Sequence, residues 1–199
     1  EIEWLDEKRK APALRLSALN FRLQNDGDEH AAGLTARPPV ELGTGLDVRA
    51  RLEGESVRDF AQWSGRLFAE LGYTDLAGWR HWLDYPVDVR RGEGALRLWA
   101  TLAGGKLSQA TADVALSNVW ARFGRDLPPL EISEVRGRVF GSETVRGYEF
   151  GVRGLALARP QALAINSTSF QASYQPAGGT TLVPRGSLTA NLIELGPLV

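Results

Sequence analysis

Apolar and polar residues alternate along most of this chain. The stretch "GALRLWATLAGGKLSQATADVALSNVWARF", residues 94–123, is the plainest case. Leu96, Leu98, Ala100 and Leu102 fall on one face, and a Gly104-Gly105 turn follows. Ala110, Ala112, Val114 and Leu116 then line one face of the return strand. A two-residue glycine turn between alternating runs predicts a β-hairpin. "LSALNFRLQNDGDEHAAGLTARPP" repeats the pattern: Leu19, Phe21 and Leu23 lead into an Asp26-Gly27 turn, and Ala32, Leu34 and Ala36 return. In "LDVRARLE", Leu46, Val48, Ala50 and Leu52 face one way and Asp47, Arg49, Arg51 and Glu53 the other. Such strict alternation places one face of the strand in water. "LEISEVRGRVFG", "YEFGVRGLALA", "TSFQASYQP" and "GSLTANLIELGPL" continue as strands between Gly, Pro and Asn-Ser turn signals, and "WSGRLFAEL" at 63–71 is read as another. About ten strands are predicted in all.

One segment departs from this period. In "TDLAGWRHWLDYP", Thr74 is placed to cap a helix, Asp75 falls in its first turn, Leu76, Trp79 and Leu83 lie at helical spacing, and Pro86 stops the run. A helix of about ten residues is about 15 Å long. Ten strands about 4.8 Å apart spread over about 48 Å. The helix cannot cover that sheet. Its apolar face must be covered by the sheet itself, as two layers, a closed barrel, or a curled sheet whose edges approach without meeting.

Composition narrows the functions open to such a sheet. The 199 residues suit a single β-rich domain, 1–199. Net charge is −1, from 23 basic and 24 acidic residues that are well mixed, which gives no sequence-wide field for phosphate backbones and argues against nucleic acid as a partner. Cysteine is absent, so no disulfide or thiolate metal site is possible. No run of 18 apolar residues occurs. The chain opens on Glu1 and contains no methionine, which reads as a piece of a longer protein.

Candidate chemistry is sparse. The two histidines, His30 in a turn-rich stretch and His81 on the expected helix with Asp84 three residues on, have no nucleophile nearby in sequence, and each reads as structural or solvated. "NDGDEH" lacks the glycine and distal glutamate of a calcium loop and reads as a hairpin turn. "RRGEGALRL" opens a strand, not a helix, so it lacks phosphate-cradle geometry. Asp84 and Asp88 could be drawn as a hydrolytic carboxylate pair, but carboxylates flank most turns of a β protein. No cofactor, metal site or enzymatic activity is expected. Of six tryptophans, Trp79 and Trp82 carry three readings: core packing, residues at the mouth or lid of an apolar cavity, or residues at a membrane interface.

Several stretches together resemble a known family. "EIEWLDEKRKAPALRLSALNFRLQNDGDEH", "ARPPVELGTGLDVRARLEG", "DLAGWRHWLDYPVDVRRGEGALRLWATLAGGKLSQATADVAL" and "LPPLEISEVRGRVFG" look like consecutive parts of the central region of YhdP-type proteins. These belong, with TamB, to the AsmA-like superfamily of Gram-negative bacteria. "WLDEKRKAP", "ARPP" and "GEGALRLW" are the most specific pieces, and the likeness runs from about Trp4 to Pro197. It implies a long antiparallel sheet curled into a taco-like groove, mainly β with one short α-helix. It also implies a periplasmic segment of a large inner-membrane-anchored protein that carries phospholipid toward the outer membrane, its anchor lying outside these residues. Its partners would be phospholipid acyl chains, adjacent segments of the same long chain, and other envelope proteins.

The residues and the resemblance converge on one expectation: Leu46, Val48, Leu52, Leu96, Leu98, Leu102, Val114 and Leu116 are wall residues of a groove that takes acyl chains. The opposing expectation is a sealed core in a module that docks neighbouring segments or partner proteins. A hydrolase on a β scaffold is a third, disfavoured by the shortage of histidine and the absence of cysteine.

Overall fold

The computed structural model describes residues 1–55, 59–85, 87–159, 162–177 and 183–191, with backbone only at 60, 159 and 162–166. Among the described residues there are eleven strands: β1 (Ile2–Trp4), β2 (Leu14–Asp26), β3 (Glu29–Arg37), β4 (Leu46–Glu53), β5 (Ser64–Asp75), β6 (Asp88–Ala103), β7 (Lys106–Arg122), β8 (Leu130–Thr144), β9 (Gly147–Arg159), β10 (Ala162–Gln175) and β11 (Arg185–Ala190). They form one antiparallel meander in which spatial order equals chain order, and the sheet is not closed. The segment at 63–71, expected as a strand, is the larger part of β5. Alternation specifies register here, because a one-residue slip would turn every apolar side chain to the opposite face.

The turns follow from their residues. Gly104 and Gly105 both take positive φ, +56° and +69°, and join β6 directly to β7. This is the two-residue hairpin geometry that matches strand twist and that residues with a Cβ resist. The β2–β3 turn is Gly27-Asp28, with Gly27 at φ +57°. "NDGDEH" is therefore a hairpin turn. Bulges interrupt the ladders at Ala18–Leu19, at Arg90, at Asn118–Val119 opposite the Arg91–Glu93 step, and in β9 opposite the Arg136–Arg138 step, and such bulges bend a strand locally.

The expected helix is shorter than its pattern suggests. Only Leu76–Trp79, here α1, is helical, and the chain then continues as turns held by the Trp82 and Leu83 amides donating to the Trp79 carbonyl. Its cap is Asp75, whose side chain accepts from the Ala77 amide at 2.9 Å, and not Thr74. Thr74 stays in β5, fully buried, and its hydroxyl donates to the Leu42 carbonyl. The expected stop at Pro86 lies outside the described residues. Packing decides the early end of the helix. Trp79 and Trp82 turn into one cluster with Leu14, Leu16, Ala36 and Leu42, and their indole N–H groups donate to the carbonyls of Leu42 (3.0 Å) and Pro12 (3.1 Å). A buried indole needs such a partner, and here a turn supplies the geometry that a longer helix would not.

Among the described residues no second layer lies on the sheet. Extensive contacts run only between neighbours in the strand order, with α1 touching β6. The accessible surface is 13853 Å². A compact protein of 21.7 kDa exposes roughly 9,200 Å², so this chain exposes about half as much again.

Candidate functional site

The registers of successive hairpins align their apolar positions into rows that cross the sheet. One row runs Phe21, Leu34, Val48, Ala69, Leu98, Ala112, Val139, Val152, Phe170, Ala190, each opposite the next across ten strands. A second runs Leu23, Ala32, Ala50, Leu67, Ala100, Ala110, Gly141, Phe150, Ala172, Leu188 over the same strands. No charged residue enters either. Between them they form an uninterrupted apolar floor, because same-face positions two residues apart are neighbours on a pleated sheet.

All eight residues expected as a wall lie on this face. Leu46 and Leu96 flank Leu71, Val48 and Leu98 belong to the first row, Leu52 and Leu102 flank Gly65, Val114 opposes Leu96, and Leu116 opposes Gly94. None of the eight is buried, and Leu98 at the centre of the sheet is 36% exposed. Phe21, Leu34, Val139, Phe150 and Leu188 belong to the same floor but were not among the wall residues expected from sequence, although Phe21 and Leu34 were placed on one face of their hairpin. Each alternates within its own strand, but only the long-range register puts them in line.

The opposite face is charged. Asp47, Glu70, Arg97, Asp113, Arg138 and Arg153 stand opposite one another in turn. Arg97 Nε donates to Glu70 at 2.8 Å, and Arg138 grips Asp113 with two bonds of 2.5 and 2.7 Å. That guanidinium holds the Asp113 carboxyl below the usual carboxylate range. The aromatic rings on this face carry cations: Arg49 lies over Phe68, Arg138 over Trp99 and Arg153 over Phe140. Both Phe68 and Trp99 are thereby suited to water. The two faces thus differ sharply in polarity.

The two margins of the floor differ as well. At one, where β3 and β5 end and β4 and β6 begin, α1 and the Trp79–Trp82 cluster cover the apolar surface, with Leu71 packed against them. Trp79 and Trp82 are 7% and 6% exposed, so they plug this margin and do not border an open mouth. Arg9 ties the plug to the chain ahead of β2 by bridging Asp6 (3.1 Å) and Asp84 (2.7 Å). At the other margin lie the tight turns at 27–28, 104–105 and 145–146.

The remaining chemistry candidates are stacked, paired or set within strands. His30 stacks on Trp63 with ring centroids 4.7 Å apart, and its nitrogens lie 2.9 Å from Asn25 Oδ1 and from the Gly54 carbonyl. His81 meets the Trp82 ring edge-on. Asp84 pairs with Arg9, and Asp88 pairs with Arg90 and Arg122, so the two carboxylates serve separate ion pairs. The "RRGEGALRL" segment lies within β6. Among the described residues no group of His, Cys, Asp or Glu is arranged to hold a metal ion, and no helix is long and apolar enough to cross a membrane.

Comparison with known proteins gives one result. The model of the family described as YhdP protein matches residues 1–199. No curated protein and no solved structure matches the chain.

Proposed function

Because the chain belongs to the YhdP family, we propose that it is a non-enzymatic, periplasmic segment of an inner-membrane-anchored bridge, and that its apolar floor conducts phospholipid between the inner and outer membranes. The single observation that carries this reading is the ten-strand apolar row with no second layer against it among the described residues. Acyl chains gain about 0.8 kcal/mol per methylene removed from water. Binding of that kind has no directional requirement, so a lipid can slide from strand to strand while exchanging equivalent contacts. Charges in the floor would set barriers, and it has none.

The competing reading, a module whose floor is sealed by neighbouring segments or partner proteins, is favoured by the same excess of exposed surface. Detergent-free purification, lipid extraction and mass spectrometry separate the two. The lipid reading predicts co-purifying phospholipid that is lost in a Leu98→Asp, Val139→Asp double variant and retained in a charge variant of the opposite face such as Arg136→Glu. A well-folded protein that carries no lipid would reject the conducting floor.

A further inference from the structure

Resting on the reading of the floor as an acyl-chain surface, we propose that bound phospholipid is oriented, its phosphate and glycerol lying at the margin of the tight turns, seated at the β8–β9 turn by Arg146, Tyr148 and Tyr174. The first argument is exclusion. Along β2–β6 the α1 margin is filled by Trp79, Trp82, Leu14, Leu16 and Leu42, and the indole N–H groups there already donate to backbone carbonyls. A charged headgroup leaving on that side would be stripped of water without compensating partners, which is costly.

The second argument is the chemistry of the other margin. Tyr148 and Tyr174 face each other across β9 and β10, directly beyond Phe150 and Ala172 of the floor, and both are about half exposed. A ring with an apolar body and a polar tip suits the depth at which a lipid changes from chain to ester. His30 and Trp63 stack at the same margin farther along the sheet. Arg146, in the two-residue turn between β8 and β9, joins the tyrosines around a cavity of about 380 Å³ that Thr144 and Ser173 also line. Glu149 borders this cavity, its carboxylate accepting from Gln171 Nε2, and Glu143 stands opposite Tyr148, so Arg146 is the cation set against two carboxylates at this turn. The Arg146 guanidinium has no acidic partner among the described residues. Arginine matches the geometry of a phosphate diester. The β2–β5 end of this margin instead sets three carboxylates, Asp26, Glu29 and Glu53, around the one arginine Arg51 and His30, a more acidic setting for a phosphate.

Photo-crosslinking tests the orientation. The full chain is incubated with vesicles of equal parts phosphatidylethanolamine and phosphatidylglycerol, a trace of the latter bearing a diazirine either on its headgroup or at an acyl terminus. The acyl probe should label floor peptides around Leu98 and Val139, and the headgroup probe peptides containing 144–148 and 173–175. Arg146→Glu should lower headgroup labelling roughly three- to tenfold with acyl labelling retained, Arg146→Lys should restore most of it, and Arg136→Glu should change neither. Floor labelling by the acyl probe combined with headgroup labelling at the α1 margin, or equally at both margins, overturns the orientation and leaves the lipid-conducting floor standing. Absence of floor labelling overturns both. A chain-free glycerophosphate probe that labels the turn as strongly as the lipid would also overturn the proposal, since it assigns the site to a soluble phosphate ester.

Discussion

Leu98 shows how one side chain holds both a structural and a functional place. It lies between Ala69 and Ala112 at the middle of the floor and is 36% exposed. Leu98→Asp should therefore cost little stability, within about 1 kcal/mol, because the carboxylate reaches water. It should nonetheless remove bound lipid, and chemical denaturation beside lipid extraction checks the two separately. Gly94 is the opposite case. Its φ is +146°, and a Cβ there would lie 2.1 Å from the Ala115 carbonyl oxygen. Gly94→Ala should destabilise the chain by at least about 2 kcal/mol, read as a lower urea midpoint at unchanged slope. Asp113 carries an acid-side pH dependence. Its folded pKa is lowered, mainly by hydrogen bonding from Arg138, so its contribution is complete above the ordinary carboxylate pKa and is lost as pH falls through the folded value. Asp113→Asn should flatten that part of the stability profile below about pH 4.

At the scale of elements, α1 is one turn whose stability comes from packing and capping, since so short a helix is unfavourable alone. Asp75→Ala removes the bond to the Ala77 amide and should cost about 1 kcal/mol. Tyr85 packs against the plug, and its hydroxyl donates to the Leu76 carbonyl at 3.0 Å. Burial, with the nearby Asp75 charge, pushes its pKa up to about 12. Its folded pKa lies above the unfolded one, so its contribution is present below about pH 10 and lost as pH rises through about 12. Tyrosinate absorbance should show Tyr85 titrating last, behind Tyr73, which its hydrogen bond to Glu93 also raises, and Tyr85→Phe should abolish that last phase and the associated alkaline loss of stability. The same element limits what periodicity could reveal. Leu76, Trp79 and Leu83 fit a helical pattern, yet Leu83 is exposed and Trp82 is as buried as Trp79. Contacts with Leu14, Leu16 and Leu42, far away in sequence, override the local period.

For the whole molecule, the excess surface has a consequence that can be measured. A chain with about half again the surface expected of its mass should bind hydrophobic dyes in its native state and lose that binding when lipid is added. The charged face is held by paired and stacked arginines, so it should keep the protein dispersed while the floor is filled. Added salt should weaken the exposed pairs without releasing lipid held by apolar contact.

The strands, the glycine turns and the division into an apolar and a charged face were all determined by the sequence, because alternation and turn chemistry are local and each hairpin carries its own register. The eight expected wall residues could be placed on one face for that reason. Tertiary structure alone decided that the hairpin registers add up to a single row from Phe21 to Ala190, that no second layer covers it among the described residues, and that Trp79 and Trp82 seal one margin while Tyr148 and Tyr174 border the other. Alternation says which way a side chain points, but what lies beyond it depends on how the sheet's margins and connections meet, and those contacts join residues dozens of positions apart.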